Sequence, residues 1–407
     1  MAPASALSLF ALLALPAAAP RQSGPEEAVP ALRVPTVLFE SRAGVTRSRV
    51  LEGFATRSLA AEEAVLVRFL DLEPGPRPSK VQRAAEVQLA GGEGYLRGDL
   101  LGGEGEELDL GLIGGSRLRL GLDEIASLRV PALIPADWTQ PIVKSAVGDR
   151  LYRTSGGGLD RIDGTLESFD PDGLTLDSAL GSKHFVWEEV AALFIEVLGD
   201  DSTQAGEAVV VDLVDGSRLP AFFSALSQDG LELVTRGGHG LRLSLPVVAE
   251  IFRPGAGIAF LSQLEPSLMS SSSPFGDDLG MRWPALRDRS TSGGPLTAGG
   301  RVWTRGLGVH APSRIEYALG AAWSGLRGSV AVDDEVIHLP ARGSVRFRVL
   351  ADAKLLWQSD VMHGGDEPVP IPLLDVTGVQ KLTLEVDMAD EMHVGDRADW
   401  LRPILVR

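Results

Sequence analysis

Apolar and polar residues alternate with a period of two along most of the chain. Segments such as Val87-Gln-Leu89 and Leu241-Arg-Leu243 place apolar side chains on one face and polar side chains on the other, which is the pattern of half-buried β-strands. Glycine (47 residues) and proline (26 residues) are abundant, and aromatic residues make up only 6%. This balance favours many short strands joined by turns over long helices, so we predict a mainly β protein.

The middle of the chain repeats one pattern of short strands. Copies cover Glu86–Val130, Asp149–Ile195 and Glu207–Phe252, and each contains a Gly-Leu-x-Leu-type strand and a closing Val-Ala-x-Leu/Ile-type segment. About five short strands per copy would leave exposed edges in an open sheet, and closure into a small barrel removes them. We therefore predict small SH3- or Sm-like barrels. The predicted boundaries are 36–147 for a β-rich region with the first repeat, 148–196 for the second and 205–254 for the third.

The N-terminus is typical of an export signal. Leu7–Leu15 is a short apolar core, small residues follow it at Pro16-Ala-Ala-Ala-Pro20, and no Lys or Arg precedes it. We predict a bacterial-type signal peptide at 1–20 and a linker at 21–35, against the alternative of an Ala/Pro-rich tail. No later stretch reaches the roughly 20 apolar residues of a membrane-spanning helix.

The net charge restricts the classes of binding partner, and the absence of cysteine restricts the chemistry and the compartment expected for the protein. The formal net charge is −17, which repels phosphate backbones and argues against nucleic acid as a partner. A neutral glycan meets no such repulsion. Cysteine is absent, which excludes disulfides, thiolate metal sites and a cysteine nucleophile. An exported protein without disulfides relies on packed cores, as in the bacterial envelope.

The last domain, predicted at 258–407, reads as an antiparallel β-sandwich. Alternating segments there are separated by Gly, Asp and Pro at the spacing expected of such a fold. The predicted strands are Ser313–Leu319, Leu326–Val332, Ser344–Ala351, Lys354–Trp357, Val369–Leu374 and Lys381–Asp387.

An ordered set of motifs in this domain resembles the NPCBM/NEW2 family, whose members are carbohydrate-binding modules similar to that of family 98 glycoside hydrolases. The resemblance implies a galactose-binding-like jelly-roll sandwich that binds carbohydrate. The sequence departs from the family pattern at Lys354 and Arg397. The motifs are Phe260-Leu-Ser-Gln-Leu-Glu-Pro266, Gly306-Leu-Gly-Val-His-Ala311, Ser313-Arg-Ile-Glu-Tyr-Ala-Leu319, Val330-Ala-Val-Asp-Asp334, Ser344-Val-Arg-Phe-Arg-Val349, Leu356-Trp357-Gln-Ser359 and Asp396-Arg-Ala-Asp-Trp400.

A sugar site needs an aromatic ring for the apolar face of a pyranose and polar groups for its hydroxyls. Several side chains of the last domain supply these groups, and the alternative role for each is core packing or loop fixation. The candidates are Trp303, Arg305, His310, Trp323, Asp334, Trp357, Asp399 and Trp400. No cofactor is predicted. Asp333 and Asp334 offer clustered oxygens for a structural calcium ion, with a solvated acidic loop as the alternative.

Catalytic motifs are missing from the sequence. The six histidines lack a His-Glu-x-x-His spacing, and there is no Gly-x-Ser-x-Gly segment. We therefore predict a non-catalytic, exported glycan-binding protein. The alternatives are an envelope assembly protein with protein partners, a subunit that targets a separate glycoside hydrolase, or a hydrolase within 36–255.

Overall fold

The computed structural model describes residues 36–70, 84–92, 94–197, 206–271, 283–390 and 394–407. Within these ranges the regular structure consists of β-strands and single turns of 3-10 helix, and they contain no α-helix. The mainly β fold predicted from the alternation is thus confirmed. The predicted signal peptide and linker lie outside the described residues.

The strands divide into those of the N-terminal region and those of the C-terminal sandwich. The first set is β1 (Thr36–Glu40), β2 (Thr46–Val50), β3 (Ala55–Thr56), β4 (Leu66–Leu70), β5 (Ala84–Leu89), β6 (Tyr95–Glu104), β7 (Glu107–Gly111), β8 (Arg117–Gly121), β9 (Ile125–Arg129), β10 (Asp149–Ser155), β11 (Gly158–Phe169), β12 (Gly173–Ser178), β13 (Gly181–Val186), β14 (Val190–Phe194), β15 (Glu207–Leu213), β16 (Arg218–Ser227), β17 (Gly230–Val234), β18 (Gly240–Leu243) and β19 (Val248–Phe252).

The second set begins at the end of the third repeat. It is β20 (Ile258–Phe260), β21 (Leu268–Ser271), β22 (Leu286–Arg287), β23 (Leu296–Ala298), β24 (Arg301–Trp303), β25 (Gly306–His310), β26 (Ser313–Ala318), β27 (Gly325–Val332), β28 (Ser344–Ala351), β29 (Lys354–Gln358), β30 (Met362–His363), β31 (Val369–Asp375), β32 (Lys381–Met388) and β33 (Arg397–Val406). The 3-10 turns are Ile113–Gly115, Leu122–Glu124, Pro131–Leu133, Trp187–Glu189, Leu245–Val247, Leu261–Gln263 and Asp334–Val336.

Each repeat consists of five strands whose first member pairs with both the second and the fifth. The pairs are β5 with β6 and β9, β10 with β11 and β14, and β15 with β16 and β19. A 3-10 turn precedes every fifth strand. This pairing is what a small barrel requires, and the assignment of the repeats to SH3- or Sm-like barrels stays a prediction, as do the domain boundaries.

A glycine recurs in the repeats because the neighbouring strand comes too close for a side chain. A Cβ atom on Gly173 would lie 2.0 Å from the carbonyl oxygen of Phe185. On Gly230, at φ +142°, it would lie 2.7 Å from the carbonyl oxygen of Leu243. The Gly-Leu-x-Leu pattern therefore reflects a close approach of backbones.

The C-terminal sandwich packs two antiparallel sheets against each other. We call the sheet with order β22-β25-β33-β27-β31 the first sheet, and the sheet with order β21-β26-β32-β28-β29 the second sheet. Side chains such as Val309 and Trp400 of the first sheet meet Tyr317 and Phe347 of the second in one buried cluster. The predicted β-sandwich is thus present.

The repeats contact the outer face of the first sheet through an apolar cluster. Val210 and Phe252 of the third repeat pack with Phe260, Ile404 and Val406 of the sandwich. The rings of Phe252 and Phe260 meet edge to face, with centroids 5.0 Å apart. This contact joins the repeats to the sandwich without a flexible spacer.

Buried ion pairs surround this apolar contact. Glu40 of β1, which is 3% exposed, pairs with Arg68 at 3.3 Å, with Arg402 at 3.4 Å and with Arg327. Glu250 of β19 pairs with Arg402 at 3.0 Å. Burial alone would raise the pKa of Glu40, but the adjacent arginines hold it below its ordinary value. The carboxylate is therefore stabilised as the counterion of several guanidinium groups.

A second group of ion pairs lies beside the first. Asp212 of β15 pairs with Arg305 at 2.9 Å and with Arg218 at 2.8 Å. Arg218 also pairs with Asp288 of the sandwich at 2.8 Å. Arg305 has no exposed surface, and its guanidinium lies 4.6 Å from the ring centroid of Phe260. Both groups therefore connect the repeats to the sandwich.

We predict that Glu40→Gln lowers the free energy of unfolding by about 3–5 kcal/mol at neutral pH, because it leaves buried arginines without their counterion. The loss should shrink as pH falls through the lowered pKa of Glu40, where the wild-type carboxylate also becomes neutral. Urea unfolding at several pH values measures both effects.

Glu63→Gln is the matched control, because the Glu63 side chain is 80% exposed and pairs only on the surface with Arg47. It should change the free energy of unfolding by less than about 1 kcal/mol. Equal losses in the two variants would contradict a stabilising role for the buried pairs.

Candidate functional site

One end of the sandwich collects polar side chains around a tryptophan. Strand β25 ends there at His310, which pairs across the first sheet with Arg397, the first residue of β33. Directly opposite residues in antiparallel strands have side chains on the same face. We call the set Trp283, Ser292, His310, Glu335 and Arg397 the polar end.

Trp283 stacks on His310 at the polar end. The ring centroids are 4.3 Å apart and the planes differ by 16°. His310 is 5% exposed, and its Nδ1 donates to the carbonyl oxygen of Ala311 at 2.8 Å. The imidazole thus supports the half-buried indole from behind and fixes its orientation.

Glu335 and Arg397 supply an acceptor and a donor beside this ring. The Nη1 atom of Arg397 lies 3.1 Å from Oε1 of Glu335, and the side chains are 33% and 22% exposed. The hydroxyl of Ser292 donates to Oε2 of Glu335. The pair is therefore held in place, and both side chains stay partly exposed although Oε1 of Glu335 is itself buried.

Asp333 fixes the loop that carries Glu335. One of its oxygens accepts from the Thr297 hydroxyl at 2.7 Å and from the Glu335 amide at 2.8 Å, and the other accepts from the Thr297 amide at 3.2 Å. Asp334 accepts from the Gly300 amide at 2.8 Å. These bonds join the hairpin of β23 and β24 to the turn after β27.

Both predicted calcium ligands are thus engaged by donors of the protein. No group of three or more His, Cys, Asp or Glu side chains suitable for a metal ion occurs in the described ranges. The geometry favours the alternative role of loop fixation for Asp333 and Asp334, and we do not carry calcium into the proposed function.

Asp399 is a buried carboxyl next to Asp333. It is 1% exposed, and neither of its oxygens accepts a hydrogen bond from a donor within the described residues. Burial raises the pKa of Asp399 well above its ordinary value, and the nearby Asp333 and Glu335 carboxylates raise it further. A protonated Asp399 donates to Asp333, so the two carboxyls share a proton.

The other predicted site residues are dispersed. Trp303 lies in the β24 hairpin, where its indole nitrogen donates to the carbonyl oxygen of Ala298 at 3.2 Å. Trp357 is half-buried on β29, at the edge of the second sheet. Trp323 contacts Arg407 at the end of the sandwich opposite the polar end. The structure therefore places Asp334 against the hairpin that carries Trp303, and it places Trp357 and Trp323 elsewhere on the sandwich.

Two of the predicted sugar contacts are interior residues. Arg305 is completely buried in the ion pairs with the third repeat. Trp400 is 1% exposed and meets Phe347 edge to face in the sandwich core. Neither has surface for a ligand because the packing of neighbouring elements covers it. We therefore leave both out of the proposed site.

Trp283, Ser292, Glu335 and Arg397 were not among the predicted site residues. Trp283 stands in a Ser- and Pro-rich loop sequence, where an aromatic residue has no strand to pack in, and this was a usable signal. Arg397 was noted only as a departure from the family pattern. Glu335 and Ser292 carry no local sequence signal, because only the fold brings their loops together.

The fold of the C-terminal domain is an antiparallel β-sandwich, and comparison with known families identifies it further. Residues 259–406 match the family model described as the NPCBM/NEW2 domain. The resemblance of 258–407 to this family is thereby confirmed.

Known proteins share this domain. An alpha-1,3-galactosidase B of Akkermansia muciniphila is 35% identical over 118 residues, which cover 28% of this chain and 14% of that enzyme. This chain thus spans a small part of the relative's length. A CBM51 module from Clostridium perfringens GH95 with methyl-galactose is 22% identical, at a TM-score of 0.32, over 37% of this chain and 99% of that one. Tandem CBM51 modules of a family 98 glycoside hydrolase from Streptococcus pneumoniae are 14% identical, at a TM-score of 0.32, over 63% and 88%.

The part of the chain that the structure describes contains no helix of the length and apolarity needed to span a bilayer.

We predict that Asp399→Asn raises the melting temperature at neutral pH. A group with a raised pKa contributes stability below its ordinary pKa, and this contribution is lost as pH rises through the folded value. Asparagine still donates to Asp333 and carries no charge beside Asp334 and Glu335. The increase should be about 2–4 °C at neutral pH and should disappear toward acidic pH.

Differential scanning calorimetry across pH tests this effect, with the exposed Asp360→Asn as the control. The control should follow the wild-type curve. A lower melting temperature for Asp399→Asn at neutral pH would show that Asp399 is ionised and stabilising, contrary to the shared proton.

Proposed function

We propose that this protein is an exported, non-catalytic carbohydrate-binding protein whose polar end contacts the sugar. One observation carries the proposal: in the region that matches the NPCBM/NEW2 model, Trp283 stacks on His310, and the strand partner of His310, Arg397, forms a partly exposed ion pair with Glu335. Export rests on the signal-peptide pattern of residues 1–20 and on the usual setting of such modules.

The polar end has the chemistry that a pyranose requires. The half-buried indole of Trp283 stacks on His310, and an indole is a ring type that packs against the C–H face of a sugar. Arg397 donates and Glu335 accepts, so vicinal hydroxyls at the ring edge can bond to both groups. Because Ser292 and Arg397 already hold Glu335, little side-chain entropy is lost on binding.

The sugar class follows from the related enzyme and from charge. The relative with 35% identity acts on alpha-1,3-linked galactose by its name, so we propose neutral glycans that end in a galactose-type residue. The net charge of −17 disfavours acidic polysaccharides.

The positions of the carboxyl groups support sugar binding rather than hydrolysis of a glycosidic bond. Glycosidases use two carboxyl groups that both reach the scissile bond. At the polar end Glu335 reaches solvent, whereas Asp333 and Asp399 are each 1% exposed.

We predict that the full-length protein binds galactose-terminated glycans on a glycan array and that Trp283→Ala strongly weakens this binding. Removal of a central aromatic contact costs about 2 kcal/mol, or about 30-fold in affinity. Titration calorimetry with the best array ligand measures the loss, and circular dichroism checks the fold of the variant.

Trp323→Ala is the matched control, since this half-buried tryptophan lies at the opposite end of the sandwich. Trp303→Ala and Trp357→Ala test the sites predicted from sequence. Loss of binding in any of these three, with Trp283→Ala unaffected, would move the site away from the polar end. A folded wild-type protein that binds no glycan would contradict the function and favour an envelope assembly role.

A further inference from the structure

A shallow groove of about 390 Å³ crosses the second sheet next to the polar end. Its lining includes Ser271, Ser313, Arg314, Glu385 and Asp387. Ser271 and Ser313 are partners across β21 and β26, and Arg314 pairs in register with Glu385 of β32. The groove therefore runs over adjacent rigid strands, which hold its polar groups in fixed positions.

The groove begins a short distance from the tryptophan of the polar end. Pro312, which also lines it, follows His310 by two residues. His310 belongs to the first sheet and Ser313 to the second, and sheets in a sandwich pack about 10 Å apart. One end of the groove thus lies at the connection between the two sheets that directly follows His310.

Paired charges make the groove suitable for neutral sugars. Arg314 binds Glu385, and its Nη2 atom donates to Glu316 at 2.6 Å. Asp387 accepts from Arg348 at 2.9 Å. Since each charge has a counterion, the groove attracts no free ion, whereas its hydroxyls and the second carboxylate oxygens of Glu385 and Asp387 suit sugar hydroxyls.

We propose that this groove is an extension of the binding site and holds the sugar residues that follow the terminal sugar. The inference rests on the proposed function of the polar end. It makes the ligand an oligosaccharide chain of neutral sugars, and chain length increases the affinity through contacts in the groove.

Titration calorimetry of the full-length protein tests this with three probes: methyl α-galactoside, an alpha-1,3-linked galactose disaccharide and the corresponding trisaccharide. The trisaccharide should bind about tenfold more tightly than the methyl galactoside, as one or two added charge-assisted hydrogen bonds would give. Asp387→Asn and Ser271→Phe should reduce this advantage to less than about twofold and leave methyl galactoside binding unchanged.

Glu316→Gln is the matched control, because it also removes a partner of Arg314 but lies outside the groove lining. It should retain the trisaccharide advantage. If the wild type binds all three probes equally, or both groove variants keep the full advantage, the extension is wrong and the polar-end site stands. If the wild type binds none of the probes, the proposed function fails as well.

Discussion

The ion pairs between the repeats and the sandwich constrain the rest of the structure. Burial of a charged side chain costs several kcal/mol unless a partner is held in good geometry. Glu40 and Arg305 are both nearly or fully buried, and each depends on partners from the other part of the chain. A hinge motion between the two parts would separate these charges. The described residues of the repeats and of the sandwich therefore belong to one compact unit.

The contact between the repeats and the sandwich determines which surfaces of the sandwich remain accessible to a ligand. The repeats cover the part of the first sheet near Arg402 and Ile404. The hairpin of β23 and β24 covers the part near Ala331 and Leu401. The polar end and the outer face of the second sheet lie beyond both covers. The residues that line the groove belong to neither of these two packed clusters.

The sequence could predict strands with one buried face more easily than the rest. β28 was predicted at its observed bounds, Ser344–Ala351, because its burial alternates. β33 was missed because Ala398–Val406 is buried throughout and contains Pro403, so neither alternation nor a proline-free run marks it. Burial that depends on distant parts of the chain also limits the prediction of site residues. Arg305 resembles a binding residue in sequence, and only its ion pairs with a distant repeat reveal its role.

The shared proton of Asp333 and Asp399 links stability to the candidate site. Asp399 gains no hydrogen bond that would compensate its burial as an anion, so an aspartate here costs stability that an apolar residue would not. Its neutral form instead lets Asp333 remain the single acceptor for Thr297 and the Glu335 amide. The turn that presents Glu335 is thus held by the Asp333 carboxyl group, beside an Asp399 whose pKa burial raises. We conclude that the burial of Asp399 costs some stability at the place where Asp333 fixes the acceptor of the polar end.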